Sequence, residues 1–351
     1  MNDVVVQIMF ILAVSFLLTF ITTPIVKVMA IRLGVVDIPK DDRRMHKRTI
    51  PRMGGLAMFY GFIVSVIVFI KLEPKLIGIL LGTLIIVAMG IVDDKFALKA
   101  RIKFPVQILA AIVPVLFGLT INYINLPFFG ALVIPAPWSQ IVTVLWIVAI
   151  TNAVNLIDGL DGLAAGISSI ASISILFISL IMDSFESAFI ATALVGCCLG
   201  FLPFNMNPAK IFMGDTGANF LGFVLATLSV MGAFKSYAVI SFVFPFLVLG
   251  LPIFDTLFAI IRRILKHKPI MSADRGHLHH RLIDMGFNQK QTVTILYSAS
   301  CILGLSATVM AARGMVKGLI LIAALSPVVV FVVWFAVKRK NEFKDKENEN
   351  E

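Results

Sequence analysis

Twelve residues near the middle of the chain, Asn152-Ala-Val-Asn155-Leu-Ile-Asp158-Gly-Leu-Asp161-Gly-Leu163, bring together two amides and two carboxyls. Apolar runs flank them, 141–150 before and 163–181 after. Carboxylate and amide oxygens suit Mg²⁺ or Ca²⁺ rather than soft metals. An ionised group near the centre of a bilayer costs roughly 2.5–3.5 kcal/mol on insertion scales. These groups are therefore expected where two helices meet at the membrane surface. Two readings stand on this stretch alone: an interfacial metal and phosphate site, or a turn whose aspartates cap helix N-termini.

Four further stretches carry chemistry. Asp93-Asp94 closes a purely apolar run and precedes Lys95, Lys99, Arg101 and Lys103. Two acids at the negative end of a helix are disfavoured and repel each other. A local penalty without an evident structural return points to a metal, phosphate or proton-transfer role, against simple pairing with the lysines. Gly214-Asp215-Thr-Gly217 opens another apolar run, where an aspartate is either an N-cap or a metal ligand beside a phosphate at the helix N-terminus. His46-Lys47-Arg48 and Pro51-Arg52-Met-Gly54-Gly55 combine cations with glycine backbone, a setting that receives phosphates. Arg275-Gly-His277-Leu-His279-His280-Arg281 concentrates three of the five histidines. Zinc is weighed there, but no cysteine accompanies them, and imidazole with guanidinium reads better as a pyrophosphate or sugar clamp. Asp255, after Pro252, is an acid inside an apolar run, with a functional and a structural reading alike.

The elements that must position these groups are membrane helices. Hydrophobic residues make up 59% of 351 and charged residues 14%, with mean hydropathy +0.98, which excludes an ordinary globular domain. The hydropathy predicts an all-α polytopic bundle of eleven spans at about 4–30, 53–70, 75–92, 104–121, 138–155, 163–182, 187–204, 211–231, 236–261, 292–311 and 315–337. The first reads as an anchor, not a cleaved signal. Residues 1–337 read as a single catalytic domain and 338–351 as a charged, disordered tail. The outer loop 121–137 suggests a short hairpin around Phe129-Gly130. Lys and Arg crowd the odd-numbered loops and the tail, which places those in the cytoplasm and the N-terminus outside. The net charge of +10 is then a membrane-face charge; nothing resembles a nucleic-acid readout module. Cys197, Cys198 and Cys301 lie inside spans, without disulfide or zinc spacing.

This topology puts all five motifs on one face. Acids, amides, lysines and histidines converging at a membrane surface imply phosphoryl transfer between a soluble anionic donor and a lipid acceptor, with catalysis by positioning and electrostatics. A secondary transporter is the alternative of another class, but its site belongs near the midplane. A non-catalytic lipid-binding scaffold has no use for these clusters together.

The five ordered motifs resemble the polyprenyl-phosphate N-acetylhexosamine-1-phosphate transferases over nearly the whole chain. His277-Leu-His279-His280 is similar to the His-Ile-His-His of the branch that uses UDP-N-acetylglucosamine (UDP-GlcNAc), with Leu for Ile as a minor departure. The muramoyl-pentapeptide translocases, the alternative within the class, have three consecutive histidines. The resemblance implies transfer of GlcNAc-1-phosphate to undecaprenyl phosphate at the cytoplasmic face of a bacterial plasma membrane, with release of UMP. It implies the first step of a cell-envelope glycopolymer such as wall teichoic acid. It also implies Mg²⁺, with Mn²⁺ as a substitute, and admits a homodimer. Carried over by motif, Asn155 and Asp215 are metal ligands, and Asp93 and Asp94 are the catalytic acidic pair near the acceptor phosphate, one of them placed to take its proton. Lys103 is a diphosphate contact. Asp158 and Asp161 are acidic positions of the third loop, Asp161 similar to a uracil contact. Arg275, His277, His279 and His280 fall in the sugar and diphosphate loop, and His46, Lys47 and Arg52 in the nucleotide pocket.

Overall fold

Long apolar stretches punctuated by glycine and proline fold into helices, and the computed structural model describes residues 2–38, 49–126, 130–233, 243–267 and 276–348. In order these form α1 (Asn2–Arg32), β1 (Val36–Asp37), β2 (Ile50–Pro51), α2 (Gly54–Phe69), α3 (Pro74–Phe96), α4 (Ala100–Leu116), β3 (Tyr123–Leu126), β4 (Gly130–Val133), α5 (Trp138–Ile157), α6 (Leu163–Ile181) and α7 (Phe185–Asn205). They continue with α8 (Gly214–Ala233), α9 (Val243–Val248), α10 (Gly250–Leu265), α11 (Leu278–Asp284), α12 (Gln289–Arg313) and α13 (Met315–Asn348). The chain is an all-α membrane bundle with two small antiparallel hairpins. Among the described residues seven helices, α1, α3, α5, α6, α7, α12 and α13, are long and apolar enough to cross a membrane.

Buried side chains concentrate on α6, α7 and α8, while α1 and α13 expose Met9, Phe10, Val330 and Phe331. That is the distribution expected when lipid, not water, covers the outside. Small residues let the helices approach. Gly61, Gly196 and Gly200 leave no room for a Cβ against Ser15, Thr19 and the α1 backbone, the close contact that membrane helices use in place of a hydrophobic drive. Many hydroxyls inside the bundle donate back to carbonyls one turn earlier, as Thr83 does to Ile79 and Ser172 to Ser168, which satisfies those donors within the apolar layer.

The expected outer hairpin is β3–β4, with Tyr123 opposite Val133 and Leu126 opposite Gly130; its tip lies outside the described residues. The hairpin β1–β2, pairing Val36 with Pro51, was not anticipated, because two-residue strands leave no periodic signal. In the ninth expected span, 236–261, residues 236–242 lie outside the described residues, and the rest is not one continuous helix but two, α9 and α10, that break at Leu249. Pro252 has no N–H for the Val248 carbonyl and its ring crowds that carbonyl, yet Pro is tolerated in the first turn of α10.

Candidate active site

Three helix ends meet at one end of the bundle: the start of α2, the end of α3 and the start of α8. Glycine makes the meeting close. A Cβ on Gly55 would overlap the backbone of Gly217, and one on Gly90 the backbone of Thr216. The segment before α8 is also stitched to the one before α2. Phe212 N–H donates to Pro51 O, Gly54 N–H to Phe212 O and Gly55 N–H to Met213 O, each at 2.9 Å. This accounts for the Pro-Arg-Met-Gly-Gly sequence and seats Arg52 beside Asp215.

Asp215 is the centre of the cluster. Its Oδ1 accepts from Asn155 Nδ2 at 2.9 Å and from Lys103 Nζ at 3.4 Å, and its Oδ2 from Arg52 Nη2 at 3.3 Å. Its side chain is 20% exposed, whereas those of Asp93 and Asp94 are 2% and 0% exposed. The buried pair faces inward. Asp94 accepts from the backbone N–H of Asp215 at 2.8 Å and of Thr216 at 3.1 Å, and from the Thr216 hydroxyl at 2.6 Å. Arg52 Nε stands 3.6 Å from the same carboxylate. Asp94 thus caps α8, and Gly214, at φ 71° with no room for a Cβ against the Asp94 carboxylate, permits the turn. Asp93 ion-pairs with Lys103 and accepts from Leu98 N–H at 2.8 Å. Each acid of the pair has a structural return: Asp93 makes the pairing with a following lysine that was the alternative reading, whereas the partners of Asp94 lie across the fold.

Below Asp215 runs a chain of buried amides that sequence reasoning missed. Asn219 donates to the Asp215 carbonyl at 2.8 Å, Gln107 to Asn219 at 3.0 Å, and Asn152 to Gln107 at 2.7 Å. It crosses α8, α4 and α5. A lone Gln in an apolar run gives no sign of such a role, although Asn152 belongs to the polar stretch that drew attention first.

Beside the cluster opens a cavity of about 960 Å³ whose lining includes Lys27, Arg52, Asp158, Asp161, Lys210 and His280. Asp158, at the C-terminus of α5, is half-buried. The protein packed around it, then the charge of Asp215, pushes its carboxyl up to about 7. Asp161 Oδ2 accepts from Asn207 Nδ2 at 2.9 Å and Ala209 N–H at 3.0 Å. That ties the α5–α6 loop to the one before α8, as does Asn205, which accepts from Gly162 N–H at 3.1 Å. His277 and His279 are buried; the His279 ring lies so close to Gly159 that a Cβ there would overlap it. Burial, then the neighbouring His280, lowers His279 to about 4. The structure therefore gathers Arg52, Asp93, Asp94, Lys103, Asn155 and Asp215 into one cluster. It sets Asp158, Asp161 and His280 along the adjoining cavity and His277 and His279 behind it. His46, Lys47 and Arg275 lie outside the described residues.

The donor set fits a hard divalent cation. Four carboxylates, Asp93, Asp94, Asp158 and Asp215, face two cations, Lys103 and Arg52. Asp215, partly exposed, adjoins Asn155, an amide that presents oxygen in place of nitrogen when it turns about its terminal torsion. No group of three or more His, Cys, Asp or Glu side chains with metal-binding spacing occurs among the described residues. Mg²⁺ does not require one, since it uses one or two carboxylates with water and substrate phosphates.

By class, a membrane bundle with this end is a glycosyl transferase: residues 76–233, which span α3 to α8 and carry Asp93, Asp94, Lys103, Asn155 and Asp215, match Glycosyl transferase family 4. Among known proteins the chain is 42% identical to a probable undecaprenyl-phosphate N-acetylglucosaminyl 1-phosphate transferase of Bacillus subtilis (strain 168), over 88% of this chain and 87% of that one. It is 36% identical to a decaprenyl-phosphate N-acetylglucosaminephosphotransferase of Mycobacterium tuberculosis (strain ATCC 25618 / H37Rv), over 80% and 77%. It is 31% identical to a phospho-N-acetylmuramoyl-pentapeptide-transferase of Staphylococcus saprophyticus, over 83% and 95%. The chain belongs to the polyprenyl-phosphate N-acetylhexosamine-1-phosphate transferase superfamily, in the branch of the N-acetylglucosaminyl 1-phosphate transferases.

Proposed function

We propose that the protein transfers GlcNAc-1-phosphate from UDP-GlcNAc to undecaprenyl phosphate, giving GlcNAc-diphosphoundecaprenol and UMP. The observation that carries this reading is the partly exposed Asp215 at the head of an apolar helix, ringed by Asn155, Lys103 and Arg52 beside a cavity. A lipid phosphate reaches such a helix end from the membrane side and a nucleotide from the water side. The basic loops favour the cytoplasm for that side, with eleven spans and the N-terminus outside, and 1–337 as the catalytic domain. The names of the relatives favour GlcNAc and a polyprenyl acceptor, and a wall-teichoic-acid-like polymer is the downstream product we favour.

Asp215 and Asn155 are the residues that would hold Mg²⁺, which supplies charge neutralisation on the phosphates when bound. Lys103 and Arg52 stand beside Asp215, where each offers N–H donors to phosphate oxygens. Asp93 holds Lys103, and Asp94 holds both α8 and Arg52. A phosphate monoester has a second pKa near 6, so the acceptor arrives ionised and needs no base. Its oxygen bonds to the β-phosphorus of the donor while the bond to UMP breaks and UMP leaves with the electron pair. This assigns the buried pair to positioning and leaves catalysis to orientation and charge.

The test is the purified protein with undecaprenyl phosphate and either UDP-GlcNAc or UDP-N-acetylmuramoyl-pentapeptide, with and without Mg²⁺, reading UMP and the lipid product. UDP-GlcNAc turnover that stops on chelation and returns with Mg²⁺ supports the reading. Turnover of the muramoyl donor alone transfers the assignment to the other branch.

A further inference from the structure

Asp255 is buried in the second turn of α10, away from the acids around Asp215. Its Oδ2 lies 2.8 Å from His277 Nδ1 and its Oδ1 accepts from the Leu278 N–H at 2.7 Å. A carboxylate only accepts, so His277 carries its proton on Nδ1. Two turns further along α10, on the same face, Arg262 donates to the Gly276 carbonyl at 2.7 Å. One helix therefore fastens Gly276, His277 and Leu278 in succession. From His277 the order passes outward through ring contacts. His277 and His279 stack at 5.8 Å with 6° between planes, and His279 and His280 stand 4.3 Å apart. His279 presses on Gly159, the neighbour of Asp158, and His280 faces the cavity.

We propose that Asp255 is a positioning residue for the donor site: it fixes the tautomer and place of His277, and through the histidine stack it sets His279 against Gly159 and His280 on the cavity wall. This rests on the reading of the cavity as the place where the UDP-sugar binds. Asp255 touches no reacting atom. Its loss therefore weakens donor recognition, not the chemistry at Asp215.

The experiment compares wild type with Asp255→Asn and Asp255→Ala. Asn still accepts from Leu278 but presents an N–H or a neutral oxygen to His277; Ala does neither. We expect KM for UDP-GlcNAc to rise about tenfold in Asp255→Asn, the scale of one charge-assisted hydrogen bond, and further in Asp255→Ala. We expect kcat to stay within about threefold and KM for undecaprenyl phosphate to be unchanged. A merely structural role lowers the active fraction and so kcat, with donor KM unmoved; that outcome overturns the proposal. A second readout needs no turnover. Hydrogen exchange across 276–284 should quicken in Asp255→Ala while exchange at the start of α8 stays as in wild type. Unchanged exchange across 276–284 overturns the proposal even if wild type proves to use another donor. Wild type that ignores UDP-GlcNAc while the exchange difference persists counts against the reaction assigned above and not against the Asp255 link.

Discussion

Asp94 accepts a hydrogen bond from the backbone N–H of Asp215, 121 residues further along the chain. The acid that ends α3 is thus the cap of the helix that carries the exposed acid. With Asp94→Asn an amide cannot accept all three hydrogen bonds, and a buried donor is left facing a donor. We expect a loss of about 1–3 kcal/mol of stability and, through displacement of Asp215, roughly 10²-fold in turnover. Asp215→Asn should remove turnover while leaving thermal stability near wild type. Thermal unfolding in detergent beside single-turnover rates separates the two.

Gly159→Ala places a methyl group where the His279 ring sits. The bundle core is untouched, so the variant should express and unfold like wild type. Donor KM should rise, because α11 has to shift outward. A wild-type KM would mean that the histidine segment does not bear on the α5–α6 loop during binding.

Gln107→Leu removes the donor to Asn219 Oδ1 and leaves Asn152 Nδ2 with the Val148 carbonyl alone. It should cost about 1–3 kcal/mol. Gln107→Leu with Asn219→Leu should cost less than the sum of the singles, with a coupling of roughly 0.5–3 kcal/mol. Additive losses in a double-mutant cycle would show that the amides do not act as one chain.

His279 is held down to about 4 from an ordinary 6.5 by burial, then by His280. Below 6.5 the unfolded chain takes up a proton that the folded protein refuses until about pH 4. Stability therefore falls as pH drops through that window, and this group adds no slope above it. His279→Gln should flatten the dependence of the unfolding midpoint between pH 6.5 and 4. An identical slope in wild type and variant would rule out His279 as its source.

Helix positions were legible because a span needs an uninterrupted apolar run, and Asp215 was legible because an acid between glycines at the head of such a run is conspicuous. What Asp94 does was not. Pairing with a following lysine was legible for Asp93, which meets Lys103, but the donor that relieves Asp94, Thr216, lies across the fold. The same holds for Asp255, whose partner His277 stands at the head of a different helix. The break in the ninth stretch was readable in principle from Pro245, Gly250 and Pro252, but its hydropathy spoke for a single span. Gln107 carried no signal, since one amide among apolar residues looks the same whether it is partnered or not.

Gly55 against Gly217 and Gly90 against Thr216 join α2, α3 and α8 main chain to main chain. There is no side chain at these joints to trim or enlarge, so the spacing around Asp215 cannot be adjusted by ordinary substitution. Room for variation lies instead in the loops that frame the cavity. For an engineer the division is practical: on the donor reading proposed above, the cavity wall around Gly159 and His280 is open to redesign, while the ground on which Asp215 stands is fixed for as long as the fold is kept.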